Sequence, residues 1–103
     1  MIKEYETFKE DANALYLGVV DDAGGIESYN YINLAKCLFE KSGKDEETIT
    51  LHFYPDVIQI IGRSLGGLFD AIEHHNISRV RRGISEDPNS PQIKNITKLK
   101  PKS

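Results

Sequence analysis

The stretch TITLHFYPDVIQII, residues 48–61, decides the fold. Its first half alternates polar and apolar residues, which predicts a strand with Ile49, Leu51 and Phe53 facing inward and the residues between them facing outward. Pro55-Asp56 is a turn signal, because Pro fixes φ and Asp bonds to nearby backbone N–H groups. Residues 57–61 then form a more buried strand. Since a two-residue link here is not a favoured hairpin turn, a longer bent strand with a bulge is the alternative.

The residues that follow predict a helix packed on this sheet. Gly62 frees the backbone at the end of the strand, and Ser64 is a natural N-cap. Apolar residues then recur at helical spacing up to Asn76, where the helix closes. Residues 77–82 form a last strand with Val80 inward. The apolar stripe consists of Leu65, Leu68, Phe69 and Ile72.

Upstream of residue 48 the pattern predicts one strand and one further helix. Residues 15–20 are apolar and β-favouring, and Asp21 to Gly25 are turn formers. Ser28 then caps a helix running to about Lys41, with Gly43 as its C-cap. In the alternative, Gly24-Gly25 is the turn of a hairpin and residues 26–32 form a strand. The sequence therefore does not decide whether residues 26–41 are helical or extended. Residues 3–13 form a weak helix or an extended lead-in.

The predicted order is therefore β-α-β-β-α-β, a single ferredoxin-like α+β sandwich over residues 1–84. The alternative is a more β-rich meander with one C-terminal helix. Residues 85–103 carry three prolines and several lysines with few large apolar groups, which predicts a flexible tail.

Composition is typical of one small globular domain. Of the 103 residues 39% are hydrophobic and 28% charged, and the net charge is −3. The first residues are charged where an export signal needs an apolar segment, and no apolar run reaches the ~20 residues of a membrane span. The lone Cys37 forms no internal disulfide, which favours a cytosolic location and a packed, inert thiol.

Gly62-Arg63-Ser64-Leu65-Gly66 spells G-x-S-x-G, the nucleophile elbow of serine hydrolases. Over six residues the string GRSLGG resembles the GHSLGG of lipases and esterases, which implies Ser64 as a nucleophile. The histidines after it, His74 and His75, lie on the same predicted helix, and His74 is about 15 Å along its axis from Ser64. A catalytic triad would need residues that the sequence lacks, so an N-cap role for Ser64 is favoured.

The same segment suggests an anion site. Gly62, Gly66 and Gly67 allow backbone N–H groups to approach a phosphate or carboxylate, a helix N-terminus favours negative charge, and Arg63 adds a bidentate donor. The pattern is neither a P-loop nor a dinucleotide fingerprint, and close packing of the glycines on a neighbouring element explains them as well.

Charge is uneven along the chain. Residues 1–60 hold twelve acidic and five basic residues, whereas residues 61–103 hold four acidic and eight basic residues. Arg79, Arg81 and Arg82 in the basic half are candidates for phosphate contacts, with Arg79 and Arg81 on one face of their strand. The competing interpretation is that they guard an edge strand against aggregation.

Metal and cofactor sites are not expected. His74 and His75 are neighbours on a helix and point about 100° apart, and no Cys or His pair has metal-ligand spacing. No dinucleotide or P-loop fingerprint is present.

By elimination the sequence predicts a small cytosolic, non-enzymatic binding or regulatory domain that acts through protein–protein contact, with self-association into a homo-oligomer as one form. The alternative is a binder of nucleic acid or of a small phosphorylated ligand through the basic half. The third hypothesis is a serine hydrolase. No membrane partner is expected.

Overall fold

The computed structural model describes residues 2–99, which form nine strands, one short α-helix and one 3-10 turn. The helix α1 spans Gly66–Glu73, and the 3-10 turn spans Tyr31–Asn33. The strands are β1 (Ile2–Glu4), β2 (Phe8–Asp11), β3 (Tyr16–Val20), β4 (Ile26–Asn30), β5 (Leu34–Lys41), β6 (Glu47–Phe53), β7 (Asp56–Arg63), β8 (Ile77–Arg81) and β9 (Gln92–Leu99).

The strands form two sheets. The first has the order β2-β8-β3-β4, with the short β1 added outside β2, and the second has the order β5-β6-β7-β9. Neighbouring strands are antiparallel, except for β3 and β8, which are parallel. The 3-10 turn joins β4 directly to β5, so the chain passes from one sheet to the other at this corner.

The core lies between the sheets and is closed by α1. On β6 and β7, Leu51 faces Ile58, and both side chains are buried. The ring of Tyr29 on β4 packs 5.3 Å from that of Phe53 on β6, centroid to centroid, which joins the two sheets. The apolar stripe of α1 enters the same core, as its 3.6-residue period requires. The buried residues of that stripe are Leu65, Leu68 and Ile72.

Tyr31, at the corner between the sheets, ties β8 and the end of α1 to the core. Its side chain is 3% exposed, its hydroxyl donates to the Ile77 carbonyl oxygen at 2.5 Å, and its ring stacks on His75 at 4.5 Å. Burial and, to a smaller extent, the neighbouring Cys37 raise the pKa of this hydroxyl well above its usual range. The hydroxyl of Tyr31 is therefore neutral in the folded protein.

The ferredoxin-like prediction is wrong. The segment predicted as a helix from Ser28 to about Lys41 forms β4, the 3-10 turn and β5. Pairing with neighbouring strands determines this outcome, because β4 pairs with β3 and β5 pairs with β6. The Asp21–Gly25 turn joins β3 to β4, and in it the Asp21 N–H donates to the Gly25 carbonyl oxygen at 2.8 Å. Short apolar segments do not distinguish helix from strand by spacing alone, and tertiary pairing decides.

The alternative prediction is nearer to the structure in one element. Its strand at residues 26–32 corresponds to β4, but the chain is not a meander with a C-terminal helix. β3 and β8 run parallel, and two strands follow α1. The strands predicted at residues 15–20, 48–54, 57–61 and 77–82 correspond to β3, β6, β7 and β8.

The prediction of a flexible tail is wrong for residues 92–99. These residues form β9, which pairs with β7 along its length, and Ile93 is 1% exposed. The prolines and lysines around this segment are typical of a tail, and its burial depends on the pairing with β7. Residues 100–103 of the predicted tail lie outside the described residues.

Within residues 2–99, no helix has the length and apolar character of a membrane span. The helix α1 is 8 residues long.

Replacing Leu68 with Ala should lower the free energy of unfolding by about 2–5 kcal/mol, because the side chain is buried among both sheets and leaves a cavity. Phe69→Ala should cost less, since Phe69 is half-buried and its ring contacts Phe39 at 5.5 Å. Leu15, which is 74% exposed, provides the control, and Leu15→Ala should leave urea denaturation unchanged. Equal losses for Leu68→Ala and Leu15→Ala would contradict this placement of α1.

Tyr31→Phe should cost about 1–3 kcal/mol near neutral pH, because the buried Ile77 carbonyl oxygen loses its partner. The raised pKa also sets a pH dependence. In the unfolded chain tyrosine ionises at about pH 10, whereas folded Tyr31 stays neutral, so its stabilisation is complete below about pH 10 and is lost as the pH rises further. Tyr31→Phe should make the alkaline loss of stability less steep. Tyr16→Phe, at an exposed position, is the control, and an identical effect of both variants would contradict the prediction.

Candidate functional site

Residues 62–67, from the end of β7 to the start of α1, contain five of the predicted site residues, and the backbone at Gly62 is packed tightly. A Cβ atom placed on Gly62 would lie 1.8 Å from the carbonyl oxygen of Gln92, at an irregularity in the pairing of β7 with β9. Glycine is required at this position because two backbones approach each other, and Gly62 therefore faces the chain's own β9 instead of a ligand.

Ser64 is not the N-cap of α1, so that prediction is wrong. Leu65 occupies the N-cap position, and Ser64 has φ +58° and donates from its Oγ to the carbonyl oxygen of Pro88 at 3.3 Å. The carboxylate of Glu47 accepts the Leu65 backbone N–H at 2.8 Å. The start of the helix thus holds the chain's own carboxylate where a bound anion would be stabilised.

Gly66 and Gly67 have a different environment from Gly62. Both are exposed, and a Cβ atom added to either would meet no heavy atom of another segment within 4 Å. Close packing therefore explains Gly62 but not the glycine pair. The predicted anion-binding loop is divided between a packed strand end, a serine bonded to a carbonyl and two solvent-facing glycines.

Arg63 and Arg82, two of the predicted basic residues, meet in one cleft, which we call the arginine cleft. It has a volume of about 780 Å³ and joins the β7–α1 turn to the segments after β8 and before β6. Ile84, 81% exposed, lies at its rim. Its charged lining residues are Asp22, Asp45, Glu46, Arg63, Arg82 and Lys94.

Most of the charged side chains in the arginine cleft form ion pairs. Arg82 pairs with Asp22 at 2.7 Å, and Lys94 pairs with Glu46 at 3.5 Å. Among the described residues, Arg63 forms no ion pair. Because acidic and basic groups are equal in number, the cleft has no net positive field for a phosphate, and it suits a polar group that meets both signs.

The remaining two predicted arginines lie elsewhere. Arg79 and Arg81 are on the outer face of the first sheet, with Val80 buried between them, as the alternation predicted. The Nε of Arg81 donates to the Glu6 carbonyl oxygen at 2.8 Å. The edge-strand interpretation is wrong, because β8 lies between β2 and β3 inside the sheet. The four arginines therefore do not form one basic patch.

The surroundings of Ser64 bear on the hydrolase hypothesis. The strand, the turn with positive φ and the helix are all present, as the motif requires. His74, however, follows the last turn of α1, about 12 Å along the helix axis from Gly66. His52 pairs with Val57, and about 20 Å of strand separates it from Arg63. None of these rings reaches Ser64.

The cysteine and the exposed His74 show no sign of a reactive site. Burial, followed by the nearby Glu73 carboxylate, raises the pKa of the Cys37 thiol, which keeps it protonated at neutral pH. A hydrogen bond to the Asp70 carbonyl oxygen, at 2.8 Å, raises the pKa of His74. Over the described part of the chain, no three His, Cys, Asp or Glu side chains are grouped as a metal ion would need.

The sequence did not predict one continuous surface, the outer face of the second sheet, which we call the threonine face. The register of the four strands aligns three side chains of each strand in rows across this face, and nine of the twelve are uncharged residues other than histidine. The face consists of Lys36, Leu38 and Glu40 of β5, Thr48, Thr50 and His52 of β6, Val57, Gln59 and Ile61 of β7, and Asn95, Thr97 and Leu99 of β9.

The threonine face differs sharply from the outer face of the first sheet, which has Lys9, Arg79 and Arg81 at its centre. Among these twelve residues, Lys36 and Glu40 on the edge strand β5 are the only ones with an ammonium or carboxylate group, and His52 adds an imidazole. Arg63 lies on the same side of the sheet, beyond Ile61 at the end of β7. The outward alternation of Thr50 and His52 was a usable signal, but the face was missed because β5 and β9 were not predicted as strands.

Gly62→Ala should destabilise the fold by about 1–3 kcal/mol or more, because the new methyl group meets the Gln92 backbone, which cannot rotate away. Gly67→Ala is the matched control. It enters open space within α1 and should stabilise the chain by up to about 1 kcal/mol through helix propensity. Thermal unfolding of both variants measures the difference. A neutral Gly62→Ala would show that β7 and β9 do not approach each other this closely.

Comparison with protein-family models, with curated proteins and with solved structures finds no match to this chain. Its function is therefore inferred from the chemistry of its surfaces.

Proposed function

We propose that this chain is a small, cytosolic, non-enzymatic protein-binding domain and that the threonine face is its contact surface. The observation that carries the proposal is the set of uncharged side chains on the three adjacent strands β6, β7 and β9. Charged residues (Asp, Glu, Lys and Arg) make up 28% of the chain, yet among the twelve residues of this face they are found only at its β5 edge. Depletion of charge at the centre is typical of the buried part of a protein interface.

The shape of the threonine face favours a protein partner. Thr50 is 8% exposed, and Gln59, Ile61 and Thr97 beside it are half-buried, because neighbouring side chains cover one another. Branched side chains held in this way lose little conformational freedom on binding, which lowers the entropic cost of association. The hydroxyl of Thr50 also offers a hydrogen-bond partner that carries no charge.

Two further features support the choice of protein over nucleic acid or a phosphorylated ligand. Arg82 is paired with Asp22, and Glu47 already bonds to the N–H of Leu65 at the start of α1. Arg79 and Arg81 lie on a different surface from Arg63. A phosphate backbone would need these cations to be unpaired and aligned.

The non-enzymatic and cytosolic parts of the proposal have their own support. The Ser64 hydroxyl bonds to a backbone carbonyl oxygen. His52 on β6 and His74 after the end of α1 lie too far from Ser64 to activate it. A single, half-buried cysteine is typical of proteins from a reducing compartment.

Site-specific photo-crosslinking tests the contact surface. A photoreactive residue in place of Thr97 on the threonine face should crosslink to a discrete protein in the cells that naturally contain the chain. Gln59→Glu, which adds a charge at nearly constant volume beside Thr97, should reduce that product at least tenfold. The control is the same photoreactive residue in place of Ser28, which is exposed on the first sheet.

The proposal is wrong if Thr97 gives no discrete product, or if Ser28 gives the same product in equal yield. Circular dichroism of the Gln59→Glu variant separates loss of binding from loss of fold.

A further inference from the structure

Among the twelve residues of the threonine face, the two with an ammonium or carboxylate group stand at opposite ends of one edge. Lys36 and Glu40 lie on β5 on either side of Leu38, and both are exposed. Four residues along a strand separate them by about 13 Å. The register places Lys36 opposite His52 and Glu40 opposite Thr48, so each charge ends one of the outer rows of side chains.

The middle row of the face divides it into two halves. This row contains Leu38, Thr50, Gln59 and Thr97, which the register aligns across the four strands. One outer row begins with Lys36 and the other begins with Glu40. Consider a two-fold axis that runs along the middle row, in the plane of the face and perpendicular to the strands. This axis would place the Lys36 row of one copy over the Glu40 row of a second copy. Lys36 of each copy then meets Glu40 of the other, and two opposite-charge pairs form.

The apolar residues match under the same axis. Val57 and Ile61 occupy opposite outer rows of β7, so the axis places Val57 of each copy over Ile61 of the other, and Leu38 meets its own equivalent. The alternative in-plane axis, along the strands, would place β5 over β9. Lys36 would then face Leu99 and Glu40 would face Asn95, which leaves both charges unpaired.

We infer that the occupant of the threonine face is a second copy of this chain, packed face to face about the two-fold axis along the middle row. The inference rests on the proposed function, because it names the partner of the same surface. Two sheets that pack in this way keep their strands within about 30° of each other, which preserves the row-on-row contact. A two-fold interface uses the same patch on both copies, as the threonine face requires.

The area of the face indicates a weak, reversible dimer. Four strands about 4.8 Å apart and five residues at about 3.4 Å give a footprint of roughly 330 Å² per copy. This is below the ≈800 Å² per partner of a standard stable interface and within the range of transient ones. The monomer and the dimer should therefore exchange as protein concentration changes.

Sedimentation equilibrium on the full chain tests the inference with variants in which the charge of Lys36 or of Glu40 is reversed. The wild type should show a reversible monomer–dimer equilibrium. Lys36→Glu and Glu40→Lys each place like charges together twice, so each variant alone should self-associate at least about tenfold more weakly at low salt. An equimolar mixture of the two variants restores both opposite-charge pairs and should dimerise about as well as the wild type. Lys44→Glu, at an exposed position off the face, is the control and should leave dimerisation unchanged.

A wild type that stays monomeric at millimolar concentration overturns the second copy as occupant. Crosslinking from Thr97 to a protein of another mass would then still support the proposed function, and the absence of any crosslink would contradict both. A wild-type dimer that Lys36→Glu and Glu40→Lys leave unchanged, or a mixture that does not recover, overturns the two-fold arrangement. Both substituted residues are exposed on an edge strand, and circular dichroism checks that each variant is folded.

Discussion

The pairing of β6 with β7 constrains the rest of the structure. Its register runs without a shift from Glu47 opposite Gly62 to Phe53 opposite Asp56. Because side chains alternate across a strand, this one register assigns Ile49, Leu51 and their partners to the core and assigns the residues between them to the threonine face. A slip by one residue would exchange the two faces, burying threonines and exposing the core. The same ladder brings Glu47 beside the turn into α1, where it bonds to Leu65.

The sequence of this hairpin was sufficient to predict its two strands and the helix after them, because the alternation and the apolar stripe are both strong. It was not sufficient for residues 26–41. There the apolar residues fit a helix face as well as a strand, and the outcome depends on pairing of β5 with β6 and of β4 with β3. The strand β9 was missed for a related reason. Pro88, Pro91 and the lysines near it are typical of a tail, and Ile93 is buried by pairing with β7 on one side and with Gly83 on the other.

Local chemistry around the candidate site could be predicted, but its partners could not. The alternation correctly placed Arg79 and Arg81 on one face. The Arg82–Asp22 ion pair joins residues far apart in sequence, and the Glu47 cap joins β6 to α1, so both depend on the topology. The first contact pairs one of the predicted cations with a carboxylate, and the second places a carboxylate at the start of α1. The threonine face required all four strands of its sheet, two of which the sequence did not reveal.

A dilution series of backbone nitrogen–proton correlation NMR spectra tests most directly whether a second copy of the chain packs on the threonine face. With rising protein concentration, the amide signals that move should be those of the central strands of the second sheet, with Thr50, Gln59 and Thr97 moving most. Signals from Arg79 and Arg81 on the first sheet, and from Arg82 in the arginine cleft, should stay fixed. Movement confined to the first sheet or to the arginine cleft would contradict the assignment of the threonine face.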